Sequence, residues 1–394
     1  MKNALVLLLV SFGLLGGVLV AWFLRGQGNA GEDVAETESP VVAPHIQDSV
    51  RRPVAAHVDD EPAAPRTAPW VVDNNAAVAA LEADDVDRAI ELLERAIGSA
   101  TGDDRAVVAG NLAEALGRRA RRSAEVPDLE SAVADLERAL ELDPARDDFE
   151  RLLGWWRKQL EVERDFASYG SQRFEIVFDG DRDEILKGVQ RAVDVLEQAY
   201  GEYWLFFGRD PVVERGRRLR VAFYDAQQFQ DVTGLGHWAA GAFDGTVRLP
   251  IVDYDRDESR WTQTLWHELC HAFLHDMIPG KVPGWLDEGL AQWMEPGRDD
   301  AVRAARASLS KEALLPIADM SGTLASIGDP ARIRRAYAQS LAFADWIVAQ
   351  YGEYVVREMV GALARGDDAG ARFREVMGFS LEQASADFAD SLGG

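Results

Sequence analysis

The chain has 394 residues, with 42 Lys and Arg against 67 Asp and Glu and a formal net charge of -25. That balance excludes a nucleic-acid partner, because phosphate binding needs a basic footprint. A hydrophobic share of 47% beside 28% charged residues excludes a disordered or fibrous chain, and a single cysteine, Cys270, excludes both an internal disulfide framework and a cysteine-rich metal cluster.

Residues Ala4 to Leu24 form a run of 21 without a charge, with Lys2 before it and Arg25 after it. About twenty apolar residues are enough to cross a bilayer as a helix. Residues 1–25 are therefore expected to be a transmembrane anchor or a signal sequence; the length of the run and its Trp22-Phe23-Leu24-Arg25 ending favour the anchor. The membrane is then a partner through this helix, and the acidic bulk that follows is expected outside the cytoplasm, in the periplasm or at the cell surface. Residues 26–72 hold six of the 15 prolines and no sustained apolar period, which predicts a disordered Pro-rich linker.

Residues 73–166 read as helices. The stretch Asp85–Ile97 returns as Asp128–Leu140, so that Ala89 and Ala96 match Ala132 and Ala139 at an offset of 43. Small residues seven apart lie on one helix face and let a neighbouring helix pack closely. With Pro144 after the second copy, the pattern resembles the second helix of tetratricopeptide (TPR) repeats, and this TPR-like module is expected to offer a surface to a protein partner. The offset exceeds the usual repeat length, which predicts an insertion around Arg118–Val126. The basic run Arg118–Arg122 is expected to be a solvated helix face, and a further helix is expected near Phe149–Phe166.

From Arg173 the pattern changes. Phe174–Phe178 alternates as a strand, Ile185–Phe206 is an amphipathic helix, Leu219–Tyr224 is a second strand, and Gly241–Pro250 is a hairpin or edge strand. After Trp261 the pattern is mostly helical. Strands first and helices later predict an α+β domain over residues 167–394.

Within it lies His267-Glu268-Leu269-Cys270-His271, an HExxH motif. Positions i and i+4 share a helix face, so both imidazoles can reach one metal while Glu268 faces its bound water. Such a ligand set suits Zn2+. The segment Trp285-Leu286-Asp287-Glu288-Gly289-Leu290-Ala291 follows, with Glu288 17 residues after His271. A turn at Pro279-Gly280 between two helices can return Glu288 to the metal, whereas Asp287 is expected to point elsewhere.

HELCH with WLDEGLA resembles the gluzincin metallopeptidases, the thermolysin-like superfamily. Together with the helical repeats it resembles a peptidase-MA-like group carrying TPR repeats. The resemblance implies a thermolysin-like zincin domain that hydrolyses peptide bonds, with a peptide or protein as substrate. His267, His271 and Glu288 are its zinc ligands and Glu268 its general base. It further implies that Tyr337, in Tyr-Ala-Gln-Ser, stabilises the oxyanion, and that Gly241, Ala242, Phe243 and Asp244 belong to a substrate-binding edge strand. Among the remaining residues, His275 is expected beside the metal without ligating it, His237 in a loop, and Cys270 as a small buried hydrophobe. The alternative reading is a non-catalytic, TPR-type binding scaffold with a degenerate peptidase domain.

Overall fold

The computed structural model describes residues 68–392, apart from 126–127, 182, 235–240, 252–256, 279 and 367. The apolar run Ala4–Leu24 and the Pro-rich linker up to residue 67 lie outside the described residues. Among the described residues no helix is long and apolar enough to cross a membrane. The chain divides into two compact units between Arg164 and Asp165.

The first unit is all helix: α1 (Pro69–Glu82), α2 (Val86–Ser99), α3 (Gly102–Glu125), α4 (Leu129–Leu142) and α5 (Asp147–Glu163). Each helix packs on the next in the chain. The repeated aspartates are its punctuation. Asp85 caps α2 by accepting from the Arg88 backbone N–H, and Asp128 caps α4 from that of Ser131. A side-chain oxygen at this position satisfies one of the N–H groups a helix start leaves open. Ala89, Ala96, Ala132 and Ala139, which align in the two copies, are all fully buried.

One expectation fails in this unit. The extra length between the copies is taken up as helix: α3 runs unbroken for 24 residues to Glu125, against 14 in α2 and in α4. Leu112, Ala113, Leu116 and Ala120 keep an apolar stripe turning through the arginines. Apart from exposed Arg122, the basic run is not a solvated face. Arg121 is buried, Arg118 pairs with Glu114, and Arg119 grips Asp135 through two bonds of 2.7 Å. At the centre, buried Arg146 bonds Glu114 at 3.1 Å and Asp148 at 2.8 Å, and its guanidinium lies 3.6 Å from the centre of the Phe149 ring.

The second unit is mostly helical with a small mixed sheet, an α+β arrangement. Its strands are β1 (Ala167–Gly170), β2 (Phe174–Phe178), β3 (Leu219–Tyr224), β4 (Ala242–Phe243) and β5 (Val247–Pro250), in the order β1-β2-β3-β5-β4. The run β2, β3, β5 is parallel, while β1 and β4 lie antiparallel at the two ends. The segment Gly241–Pro250 is a hairpin; Gly245, at φ 94°, makes its turn, a backbone shape that favours glycine. Strand β1 precedes Phe174–Phe178, the first strand that the sequence pattern marks.

The helices of this unit are α6 (Asp183–Phe207), α7 (Pro211–Arg215), α8 (Ala226–Thr233), α9 (Glu258–Met277), α10 (Gly284–Trp293), α11 (Arg298–Ser308), α12 (Pro330–Tyr351), α13 (Glu353–Leu363), α14 (Ala369–Met377) and α15 (Leu381–Ser391). Helix α9 is the axis of the core. Every residue from Thr264 to Leu274 is buried, which marks a helix enclosed on all sides. Helix α6 covers it with Tyr200 and Tyr203 around Phe273, and the Tyr203 hydroxyl donates to the Trp266 carbonyl at 2.6 Å. Trp261, Trp266, Trp285 and Trp293 are core residues, Trp285 packing on Phe343 and Phe373.

Candidate metal centre

A fully buried stretch of helix that carries His267, Glu268 and His271 must satisfy those polar groups locally. Helix α10 supplies the partners. The chain leaves α9 at Met277, and Pro283 and Gly284 start α10, so Asp287 and Glu288 fall in its buried first turns. The Gly284 backbone passes so close to Gly322 that a Cβ there would meet the Gly322 carbonyl at 2.0 Å. A side chain at that position would push α10 away from its seat.

The two histidines are used alike. His267 Nδ1 lies 2.7 Å from Glu295 Oε1, and His271 Nδ1 lies 2.7 Å from Asp287 Oδ1. An ionised carboxylate only accepts, so both Nδ1 atoms carry a proton, and in the neutral ring that ligates a metal each Nε2 then presents the lone pair. Those Nε2 atoms converge on Glu288 Oε2, at 3.4 Å from His267 and 3.7 Å from His271. All three atoms are buried and lack a hydrogen-bond partner. Ligands roughly 2.0–2.2 Å from a tetrahedral ion stand about 3.3–3.6 Å apart. The spacing is therefore that of ligands around an ion, too long for hydrogen bonds, and three orphaned buried atoms are what a bound cation relieves. His267, His271 and Glu288 fit a divalent metal.

Charge points the same way. Burial disfavours a charged His267, yet Glu288 and Glu295 outweigh it and hold the imidazole well above its usual range. Burial acts likewise on His271, and Asp287 and Glu288 raise it. Burial favours a neutral Asp287, but His271 and His275 hold that carboxyl well below the ordinary range. The carboxylates of this pocket call for positive charge, and a cation between the Nε2 atoms supplies it.

Glu268 stands apart. It is fully buried and neither of its oxygens has a hydrogen-bond partner. Burial pushes its carboxyl up to about 8, against the pull of His267 and His271 and with the help of Glu288 and Asp287. Gly241 makes room for it: a Cβ there would lie 2.9 Å from Glu268 Cγ and 3.0 Å from Oε1.

A second group, His271, His275 and Asp287, also brings three candidate ligand atoms together. Its spacing is different. Asp287 Oδ2 lies 3.0 Å from His275 Nε2 while Oδ1 lies 2.7 Å from His271 Nδ1. These are hydrogen-bond distances. The group is a relay that runs from partly exposed His275 through Asp287 to His271.

The structure thus brings His267, Glu268, His271 and Glu288 together, and Tyr337 with them. The Tyr337 hydroxyl, kept protonated by burial and by Glu288, donates to Glu288 Oε1 at 3.0 Å. Gly241 backs onto Glu268, and Ala242 and Phe243 form β4 at the sheet edge, the Phe243 ring against His275. Asp244 turns away: its carboxylate accepts from Arg248 Nε at 2.8 Å and from the Thr246 backbone N–H at 3.2 Å. Cys270 is buried, and His237 lies outside the described residues. Glu295 escaped the sequence reading. Its one signal is position, seven residues and two helical turns beyond Glu288.

The Peptidase MA superfamily model matches residues 216–393, a stretch that contains every residue of this centre. Members of that superfamily are peptidases, typically metal-dependent, so the match supports a peptidase that acts on peptide or protein substrates. It begins after α7, which leaves β1, β2 and α6 outside it. No curated protein matches the chain.

Proposed function

We propose that this chain is a zinc-dependent, gluzincin-type metallopeptidase whose ion is held by His267, His271 and Glu288 of the HExxH-plus-Glu set. One observation carries the reading: three buried, unpartnered ligand atoms stand at metal-ligand spacing, with both histidine tautomers held by carboxylates. Zinc, when bound, acidifies water and polarises a carbonyl. Glu268 is the general base: it takes a proton from water as the oxygen bonds the carbonyl carbon, and passes it to the nitrogen as the C–N bond breaks. Its unpartnered oxygens and its raised affinity for a proton suit a group that must accept one and release it.

Strand β4 ends the sheet beside Glu268, and an extended peptide can add to it through backbone hydrogen bonds. The engagement of Asp244 by Arg248 removes a carboxylate that would hold a free amino terminus, which favours cleavage within a chain. The run Ala4–Leu24 supports a membrane anchor with the peptidase domain outside the cytoplasm. The packed helices α1–α5 offer a surface to a protein partner.

The test is the metal content of the full chain by mass spectrometry, beside Glu268→Gln and Glu288→Ala. The expected result is one zinc per chain, kept in Glu268→Gln and lost in Glu288→Ala. A parent without metal after dialysis against zinc overturns the proposal.

A further inference from the structure

On the metallopeptidase reading, we infer that Tyr337 is a positioning residue: its hydroxyl holds Glu288 so that Oε2 alone faces the metal. The terminal torsion of a glutamate is broad, so nothing in the side chain itself selects one oxygen. Here the choice is made by Tyr337, whose hydroxyl reaches Oε1 at 3.0 Å and leaves Oε2 between the two Nε2 atoms. Both residues are buried, so the hydroxyl does not compete with bulk water for Oε1. The backbones are tied as well. Gln292 Nε2 donates to the Glu288 carbonyl at 3.0 Å and to the Tyr337 carbonyl at 3.2 Å. Gly289 sits where a Cβ would meet the Ser340 carbonyl at 2.6 Å, so α10 and α12 lie in close contact beside the pair. A phenol has one proton to give. Spent on Oε1, it is not free for an oxyanion, the role that the resemblance implies.

The two roles separate in Tyr337→Phe of the full chain, once circular dichroism and the melting curve show that the variant folds. Zinc affinity is read by competition with a chromophoric chelator, and the cobalt-substituted protein by its visible spectrum. Positioning predicts zinc binding about 10–100-fold weaker, an altered cobalt spectrum, and a turnover deficit that shrinks as zinc is added. Parent-like affinity and spectrum, with turnover down about 10²–10³-fold at every zinc concentration, is the oxyanion outcome and overturns the inference while leaving the metallopeptidase reading intact. A parent that binds no metal overturns both.

Discussion

His271 and Asp287 are joined by a hydrogen bond of 2.7 Å, and the second oxygen of Asp287 reaches His275 at 3.0 Å. One carboxylate thereby sets the tautomer of a metal-facing histidine and ties it to a partly exposed one. Asp287→Asn removes the charge and replaces one of the two acceptor oxygens with a donor. Metal affinity is expected to fall about 10–100-fold, with the pocket otherwise folded. Chelator competition measures it, and an unchanged affinity removes Asp287 from the support of the centre. His275→Ala is expected to have a smaller effect, because His271 keeps its direct partner.

Glu268 divides function from stability. Its carboxylate is buried without a hydrogen-bond partner, which costs the folded state. Glu268→Gln is expected to lower peptide hydrolysis at least about 100-fold. Above pH of about 8, where this carboxyl is ionised, the same variant is expected to leave the metal-free melting temperature equal or higher, since a neutral amide is easier to bury than a carboxylate. A lower melting temperature contradicts the burial argument even if activity is lost.

Glycine at 289 is a spacing requirement between α10 and α12. A Cβ there would approach the Ser340 carbonyl to 2.6 Å, and a backbone carbonyl inside a helix cannot turn away. Gly289→Ala is expected to cost about 1–3 kcal/mol in denaturant unfolding and to weaken metal binding, because the helix that must shift carries Glu288. Retained stability and affinity would show that the two helices are free to separate.

In the helical unit, Arg146 and Arg119 offer a contrast in burial. The Arg146 and Glu114 side chains are 1% and 2% exposed, so Arg146→Met strands a carboxylate in the interior. The expected loss is about 3–5 kcal/mol, read in the unfolding of this unit. The Arg119–Asp135 pair has shorter bonds, but Arg119 is 37% exposed; Arg119→Ala is expected to cost less than about 1 kcal/mol. Equal losses at the two sites would mean that burial does not set the scale here.

The pattern of residues along the chain was enough to place the long amphipathic helices, the core strands, and the i, i+4 histidines with Glu288, because periodicity and motif spacing are local properties. It also placed both aspartate-capped copies in the helical unit, where the cap and the small-residue face lie within a few turns. It failed where the outcome depends on what surrounds a residue. The arginines of α3 read as a solvated face, but Asp135, Asp148 and Glu114 meet them, two of these from other elements. Glu295 carries no motif, yet it fixes the tautomer of His267; Asp244 resembles a substrate anchor, yet Arg248 occupies it. Tyr337 lies 49 residues from Glu288, and only the packing of α10 on α12 spends its single proton there. Residue type and spacing decide which chemistry is available to a chain. Which atom faces the metal, and which proton is already committed, are settled by hydrogen bonds between elements distant in the sequence.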